Sequence, residues 1–213
     1  MAKSEPPKRK PFAETRPREW LYLHEVKAMI KAAGSVGRNQ HRDALMISLM
    51  FSHALRVSEL IRLEWEQLDL KAGVLYVIRS KSGRDCPHVL RTAHIKALKK
   101  LAKLYDYPSL NYNEDYPDNV ATYRPTGTVF LSEYGESLSH RTVHHIVQRA
   151  GEHAGLAFPT HPHSLRHSKG FNLVNRGKDM KSISVYFGHR RLESANRYTD
   201  LQLTALRDFS KDS

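Results

Sequence analysis

Apolar residues recur with the period of a helix in the first third of the chain. Between Leu21 and Ala33 they lie three or four positions apart, and Gly34 follows as a stop signal. The segment from Arg42 to His53 is apolar on most sides, which predicts a buried central helix. A third, shorter helix is predicted through SELIRLEW, with Arg56 or Ser58 near its start.

The middle of the chain changes to the pattern of a strand. GVLYVIRS is β-branched and aromatic, SGRD is typical of a turn, and CPHVLR returns, which predicts a hairpin with Lys81 at or near its tip. The next segment, TAHIKALKKLAKLY, has the spacing of a basic amphipathic helix. Residues 106–127 are rich in Tyr, Pro, Asn and Asp, and a loop of this length in a compact domain is usually functional or mobile.

Helical spacing returns after a short predicted strand, TVFLS. Ser139 is a candidate N-cap for a helix through Arg149, with Gly151 or Gly155 at its end. Three further helices are predicted at about 163–176, 179–187 and 190–203, with Gly177 and Gly188 between them. The pattern as a whole predicts a mainly α fold with a small antiparallel β-sheet or hairpin.

Length and composition fit one folded domain with a polyanionic partner. The 213 residues are 40% hydrophobic, which is enough to bury a core. A formal net charge of +12 indicates nucleic acid as the usual partner, the alternative being a basic protein that is merely soluble. Residues 1–19 hold four prolines and a Lys-Arg-Lys run, and they are predicted to be a flexible basic tail. Such a tail is either an extra DNA contact or a disordered solubilising end.

Two other features narrow the class of protein. Cys86 is the single cysteine, which excludes an internal disulfide, and a reducing compartment fits best. No apolar run approaches the ~20 residues that a bilayer span needs, and the N-terminus lacks the apolar region of a secretory signal. We therefore expect a cytoplasmic protein.

The candidate chemistry lies in the last third of the chain and at Arg56. Attack on a DNA phosphodiester needs charge stabilisation at the nonbridging oxygens, a positioned nucleophile and a proton for the leaving oxygen. Arginine suits the first task because its planar fork binds phosphate bidentately and stays charged. Arg56 stands between two apolar segments, so its head is expected in a cleft. Glu59, three residues on, either pairs with it structurally or also orients it toward a phosphate.

His163 and Arg166 are three residues apart, so a helix would place them on one face within reach of the same phosphate. Metal binding is the alternative, because His161, His167 and His189 are close by in the sequence. The chain has no HExxH arrangement and no cysteine pair, which disfavours a metal site.

Tyr198 is the candidate nucleophile. A free tyrosine has a pKa near 10, so its deprotonation at pH 7 costs about 4 kcal/mol, which two arginines would partly offset. His163 could accept the proton. A lone tyrosine among the ten in the chain is more often a packing residue. Lys81 could protonate the leaving oxygen, although an exposed surface lysine is the plainer interpretation of that position.

Together these positions resemble the tyrosine recombinase, or phage integrase, family. The family pattern is an arginine in an LRxSEL box, a lysine on a β-hairpin, HxxR, then GH, then tyrosine. Here the pattern is present as LRVSEL, SKSG, HPHSLRH, FGH and RYTD, within about residues 20–203. One such box would be weak support, whereas five in order are specific.

The resemblance implies a role for each position. Arg56 and Arg166 would bind the scissile phosphate. His163 would be a general base or a hydrogen-bond donor, and His189 would donate to a nonbridging oxygen.

The resemblance also implies the reaction. Tyr198 would form a 3′-phosphotyrosyl link while Lys81, as general acid, protonates the freed 5′-hydroxyl. A partner strand's 5′-hydroxyl would then attack that link, and two such exchanges pass through a Holliday junction. The bond energy is kept in the linkage, so no cofactor, metal or nucleotide is expected.

The chain is similar in particular to the short recombinases that invert fimbrial promoter elements, through its length and the phrases HPHxLRHSxGF and YxGHR. This implies a catalytic domain at 20–203, a C-terminal tail at 204–213 and no separate core-binding domain. The implied partners are double-stranded DNA sites, further copies of the chain in a tetramer on two sites, and accessory DNA-bending proteins. A location at the bacterial nucleoid is expected, and no membrane partner.

Two other functions remain open on the same residues. One is a monomeric type IB topoisomerase-like enzyme that relaxes DNA without a defined site. The other is a non-catalytic DNA-binding regulator on the same fold.

Overall fold

The computed structural model describes residues 19–80, 83–105 and 127–190. In these segments the chain is mainly helical with one three-stranded antiparallel sheet, which confirms the predicted fold class. The helices are α1 Leu23–Ala33, α2 Gln40–His53, α3 Val57–Ile61, α4 Thr92–Leu104, α5 His140–His153, α6 Pro162–Asn175 and α7 Met180–Tyr186. The strands are β1 Leu68–Asp69, β2 Val74–Val77 and β3 Cys86–Val89. None of the described helices is long and apolar enough to cross a membrane.

Helix α2 lies at the centre of the domain, as its apolar pattern predicts. It packs against α1, α4 and α6, and α1 in turn packs against α5. Met46, Ile47 and Leu49 are fully buried along α2. Each such side chain contributes roughly 1.5–3 kcal/mol by leaving water, so this helix anchors the elements around it.

The C-terminal end of α2 has an unusual backbone. Ala54 caps the helix in the left-handed conformation, with φ 51° and ψ 41°, a region that costs a non-glycine residue roughly 1–2 kcal/mol. The cap turns the chain sharply, so that α3 begins three residues later at Val57. The turn also directs the Ala54 carbonyl into the protein rather than along the axis of α2.

The predicted hairpin is present and is joined by a strand that the sequence pattern did not indicate. Strands β2 and β3 pair antiparallel, with Val77 opposite Cys86. The additional strand β1 pairs with β2 through Leu68 and Asp69. Strand β1 is two residues long, which is too short for alternation to be visible in the sequence.

The predicted strand TVFLS was wrong. It is replaced by two isolated bridges at its ends, Glu64 with Thr128 and Leu131 with Ser137. Val129 and Phe130 are adjacent in the chain, and both are fully buried. Adjacent side chains of an extended segment point to opposite faces, so both faces are covered here and the segment runs through the core without the continuous backbone pairing that makes a strand.

The helix after Ser139 is longer than predicted. The Ser139 hydroxyl accepts from the Thr142 backbone N–H at 3.0 Å, which confirms the predicted N-cap. The helix continues to His153, so Gly151 lies inside it. Gly155, with φ +72° directly after the Ala154 cap, is the glycine at its end, which confirms the second of the two predicted alternatives. A Cβ on Gly151 would lie 2.2 Å from the Thr160 hydroxyl oxygen, so this glycine allows the next loop to approach closely.

Helices α6 and α7 confirm the predictions at about 163–176 and 179–187. Other predicted features lie outside the described residues. These are the basic tail except Glu19, the 106–127 loop except Gly127, the helix at 190–203 except Arg190, and the C-terminal tail.

Candidate catalytic site

The Ala54 carbonyl is the point at which the candidate site is assembled. Its oxygen accepts hydrogen bonds from Arg166 Nη1 and, at 3.3 Å, from Arg79 Nη1. Arg166 comes from α6 and Arg79 from the chain just after β2. The left-handed cap of α2 thus gives two arginines from distant parts of the sequence one shared acceptor.

Arg56 is two residues beyond that carbonyl, at the N-cap of α3. Its Nη1 donates to Glu59 Oε1 at 2.7 Å, and its backbone N–H donates to Glu59 Oε2 at 2.9 Å. The pairing predicted from the sequence is therefore present. The Arg56 side chain is 26% exposed, whereas that of Glu59 is 1% exposed, so the carboxylate lies behind the guanidinium and the arginine faces outward.

Glu59 also binds a second arginine. Arg79 Nη1 donates to Glu59 Oε2 at 2.9 Å, and the Arg79 side chain is completely buried. Burial by itself raises the pKa of Glu59, but the charge of Arg79 and the hydrogen bonds from Arg56 outweigh it and hold the pKa below its ordinary value. Glu59 is therefore ionised and is shared by two cations.

Arg166 is buried, and two of its partners are main-chain carbonyls. Besides Ala54, its Nη2 donates to the Phe187 carbonyl at 3.0 Å, and the guanidinium lies 4.7 Å from the centre of the Phe187 ring. The same Nη2 lies 3.3 Å from His189 Nε2. This network fixes the position of Arg166 relative to the end of α7 and places His189 beside it.

The position of His189 beside Arg166 depends on the preceding residue, Gly188. Gly188 has φ +65°, and a Cβ there would lie 2.6 Å both from Arg79 Cγ and from the Arg84 carbonyl oxygen. The Arg84 N–H in turn donates to the Gly188 carbonyl at 3.1 Å. A side chain at position 188 would therefore push apart the two segments that meet there.

His163 lies in the first turn of α6, one turn before Arg166, in agreement with the spacing argument. It is exposed, whereas Arg166 is buried. Its ring centre is 5.9 Å from that of His167. His163 thus lies at the surface of the protein, and Arg166 contributes its charge from below that surface.

Lys81 and Tyr198 lie outside the described residues. The residues on both sides of Lys81 and Ser82 are described. Ser80 N–H donates to Glu59 Oε1 at 3.2 Å, and Arg84 N–H donates to Gly188. The two ends of the hairpin turn are therefore attached to the same network that holds Arg56 and His189.

The sequence pattern gave no role to Arg79, although a signal for it exists. Residues 75, 77 and 79 alternate with exposed positions, and Leu75 and Val77 are buried. Extending that alternation by one step points Arg79 inward, and a buried arginine requires several partners.

A second buried polar group lies behind the site, formed by His53, His88 and His94. Nδ1 of His53 and Nδ1 of His88 are 3.4 Å apart, and the His53 and His94 ring centres are 5.4 Å apart. Arg79 Nη2 lies 3.3 Å from His88 Nε2, and because a guanidinium only donates, that nitrogen accepts. His88 then carries its proton on Nδ1 and donates to His53.

Burial keeps these histidines neutral at pH 7. Burial and then Arg79 lower the pKa of His88 to about 3, and burial and then Arg91 lower that of His94 to about 4. The pKa of His53 is lowered well below 6.5, first by burial and then by His88 and His94. In the described parts of the chain, no group of three or more His, Cys, Asp or Glu residues is arranged to hold a metal.

Comparison with known proteins points to one family. Residues 19–204 match the model of the phage integrase family. The chain is 35% identical over 187 residues to the type 1 fimbriae regulatory protein FimB of Escherichia coli strain K12, covering 88% of this chain and 86% of FimB.

Solved structures agree at the level of the fold. The XerA recombinase superposes with a TM-score of 0.70 at 22% identity, covering 99% of this chain and 66% of XerA. A lambda integrase tetramer bound to a Holliday junction gives a TM-score of 0.61 at 22% identity, covering 84% of this chain and 47% of that one. The chain thus spans less than two thirds of both solved proteins.

Proposed function

The chain belongs to the phage integrase family, and on that premise we propose that it is a site-specific DNA recombinase of the tyrosine type. The supporting observation is that the turn after α2 positions two arginines: Arg56 lies two residues beyond Ala54, and Arg166 donates to the Ala54 carbonyl. Arg56 is held by Glu59, and Arg166 is held beside His189. Such a pair of fixed cations, one open and one buried, suits a phosphodiester whose nonbridging oxygens gain charge in the transition state.

In this proposal the scissile phosphate binds against Arg56. The described part of the chain gives the Arg56 guanidinium one acceptor, Glu59, so its other donors are available to a phosphate. Arg166 adds positive charge from the interior, where the low dielectric strengthens it. His189, whose Nε2 lies 3.3 Å from Arg166 Nη2, acts in this proposal as a hydrogen-bond donor to a nonbridging oxygen.

The covalent step uses Tyr198, His163 and Lys81. The Tyr198 oxygen attacks the phosphorus as its proton passes to His163, and the bond from phosphorus to the 5′ oxygen breaks. Lys81 supplies the proton to that leaving oxygen. The products are a 3′-phosphotyrosyl link and a free 5′-hydroxyl, and attack by the 5′-hydroxyl of a partner strand reverses the step. Since the ester energy is conserved, the exchange needs no cofactor.

The DNA partner is supported by charge. The chain carries a net +12. A cleft of about 620 Å³ at the N-terminal end of α2 is bordered by Arg38, Arg141 and His145, and Arg141 and His145 are one helical turn apart on α5. Arg141 forms no ion pair within the described segments, so its charge is available to a DNA phosphate.

The assembly that we propose is a tetramer on two DNA sites at the bacterial nucleoid, with accessory DNA-bending proteins where a site requires them. The lambda integrase neighbour was solved as a tetramer on a Holliday junction, which supports this choice. The resemblance of the phrases HPHxLRHSxGF and YxGHR to the short fimbrial inversion recombinases favours DNA inversion as the outcome. Residues 20–203 form the catalytic domain in this proposal.

The experiment that tests the proposal traps covalent protein–DNA adducts with SDS and sequences the attached DNA. We expect adducts at one or two discrete sites for the wild type and none for Tyr198→Phe, which still binds DNA, because a phenyl ring has no oxygen to form the ester. Tyr134→Phe is the matched control: Tyr134 is 91% exposed and lies far along the chain from the site motifs, so its replacement should leave adducts intact.

Each other result has a clear meaning. Adducts that survive Tyr198→Phe would overturn the assignment of the nucleophile. Scattered adducts would favour relaxation by a topoisomerase-like enzyme. DNA binding by the wild type without any adduct would favour a non-catalytic regulator.

A further inference from the structure

Arg79 is the most heavily bonded charged residue of the described chain outside the recombinase motifs. Its side chain is completely buried. Its guanidinium reaches five acceptors: Glu59 Oε2 at 2.9 Å, Ala54 O at 3.3 Å, His53 O at 3.4 Å, His88 Nε2 at 3.3 Å and Tyr186 O at 2.6 Å. These acceptors come from α2, α3, β3 and α7, so one side chain connects the elements around the site.

The link to Arg56 passes through Glu59. Glu59 Oε1 accepts from the Arg56 guanidinium, and Glu59 Oε2 accepts from Arg79. One carboxylate thus stands between two guanidinium groups, and the three together carry one net positive charge. Because Arg79 is buried and Arg56 is 26% exposed, the uncompensated charge is presented at Arg56.

Removing Arg79 would change that balance. Glu59 would then face Arg56 alone, and the pair would have no net charge. The carboxylate would still hold the Arg56 guanidinium, but it would cancel much of the potential that a phosphate meets there. A second consequence is geometric, because Glu59 Oε2 would lose one of its two donors and keep only the Arg56 backbone N–H.

We propose that Arg79 is a positioning residue for the scissile phosphate, acting on Arg56 through Glu59 so that Arg56 keeps both its orientation and its charge. The inference rests on the proposed function, since the substrate is the phosphodiester named there. Arg79 does not touch that phosphate. It fixes the orientation and the net charge of Arg56, which binds the phosphate.

The test compares Arg79→Met and Arg79→Lys with the wild type in single-turnover cleavage at saturating DNA, counted per folded protein. We expect Arg79→Met to cleave about 10–100-fold more slowly, because an oriented charge at the phosphate is worth roughly 10²–10³-fold and this loss is indirect. Arg79→Lys keeps the charge but lacks the fork, so it should recover most of the rate.

A second substrate separates this role from a merely structural one. A methylphosphonate at the scissile position replaces one charged nonbridging oxygen with a methyl group, so the need for the Arg56 charge falls. The defect of Arg79→Met should shrink to less than about threefold on that substrate. An equal defect on both substrates would overturn the proposal, as would an Arg79→Met enzyme that cleaves ordinary DNA at the wild-type rate.

Thr160→Val is the control for a general loss of buried polar contacts. Thr160 is buried, and its hydroxyl donates to the Val147 carbonyl at 2.9 Å rather than to any group around Glu59. Its replacement should lower stability and leave the cleavage rate per folded protein unchanged.

A double-mutant cycle keeps the test decisive if Arg79→Met does not fold. The double variant Glu59→Gln/Arg79→Met replaces both members of the ion pair and so leaves no unpaired buried charge. Its cleavage rate is compared with that of Glu59→Gln alone. If Arg79 acts through Glu59, these two variants should cleave within about threefold of each other. A further large loss in the double variant would contradict the proposal.

Wild-type cleavage in the same assay tests the proposed function separately, because its absence would remove the recombinase assignment itself.

Discussion

At the scale of single residues, the site depends on two positions with a left-handed backbone. Ala54 adopts a strained left-handed conformation, and this conformation lets its carbonyl accept hydrogen bonds from both Arg79 and Arg166. Gly188 brings the end of α7 against Arg79 and the Arg84 carbonyl. These two residues, which carry no chemistry of their own, determine where the arginines and His189 lie.

Gly188→Ala should therefore be far more damaging than the same replacement at Gly177. The new Cβ would clash with main-chain and buried atoms at 2.6 Å and would also take a left-handed φ. We expect a loss of about 2–5 kcal/mol in the free energy of unfolding, from strain of roughly 1–2 and overpacking of roughly 1–3 kcal/mol. Urea denaturation followed by circular dichroism measures it.

Gly177→Ala is the control for that prediction. Gly177 has nearly the same φ, +68°, but no atom lies within 4 Å of a Cβ built there. The expected loss is only about 1 kcal/mol, from the left-handed conformation alone. Equal losses at the two positions would show that close packing around Gly188 has no energetic weight.

At the scale of elements, the helices follow from the sequence more directly than the sheet does. Helix α2 is apolar all round and is central, and Ser139 begins α5 where its side chain suggests. The TVFLS segment has the composition of a strand but lies in the core with its ends bridged to two different segments. The apolar composition of this segment correctly indicates that it is buried, but its backbone conformation is set by the segments that pack against it.

Ser139→Ala tests how far α5 depends on its cap. The Ser139 hydroxyl accepts a hydrogen bond from the Thr142 N–H, and alanine has no side-chain acceptor for it. The variant should therefore lose about 1 kcal/mol of stability. Ser139→Asp retains an acceptor and favours the helix dipole, so it should stay within a few tenths of a kcal/mol of the wild type. Thermal or urea unfolding compares the two, and an equal loss in both would argue against the cap as the cause.

At the scale of the whole molecule, buried histidines couple stability to pH. Three imidazoles lie beneath the site with pKa values below the 6.5 of the unfolded chain, near 3 for His88 and near 4 for His94. A histidine whose pKa is lower in the folded protein does not reduce stability above pH 6.5, where it is neutral in both states. As the pH falls below 6.5 the unfolded chain binds the proton first, so the free energy of unfolding decreases. The loss should begin near pH 6.5 and end between about pH 3 and 4.

The expected size is large enough to measure. Each pKa unit is worth about 1.4 kcal/mol, so unfolding free energy should fall by several kcal/mol between pH 7.5 and 4. His94→Gln should make that fall shallower, because it removes one of the three buried imidazoles. Urea midpoints across this pH range check the prediction, and a wild-type midpoint that stayed flat would contradict it.

What the sequence by itself determined is local or ordered along the chain. The helical periods gave α1, α2 and α4 to α7, the capping serine gave the start of α5, and the ordered motifs gave the family and the pairing of Arg56 with Glu59. These features are legible because each depends on residues a few positions apart, or on a fixed order of side chains.

What only the tertiary structure decided is long-range. Arg79 lies 20 residues from Glu59 and 107 from Tyr186, and no local pattern records either contact. The left-handed turn at Ala54, the buried histidine group and the core position of Phe130 likewise depend on what packs around them. Burial of a charged or polar group is stable only when distant partners satisfy it, and those partners are chosen by the fold rather than by neighbours in the chain.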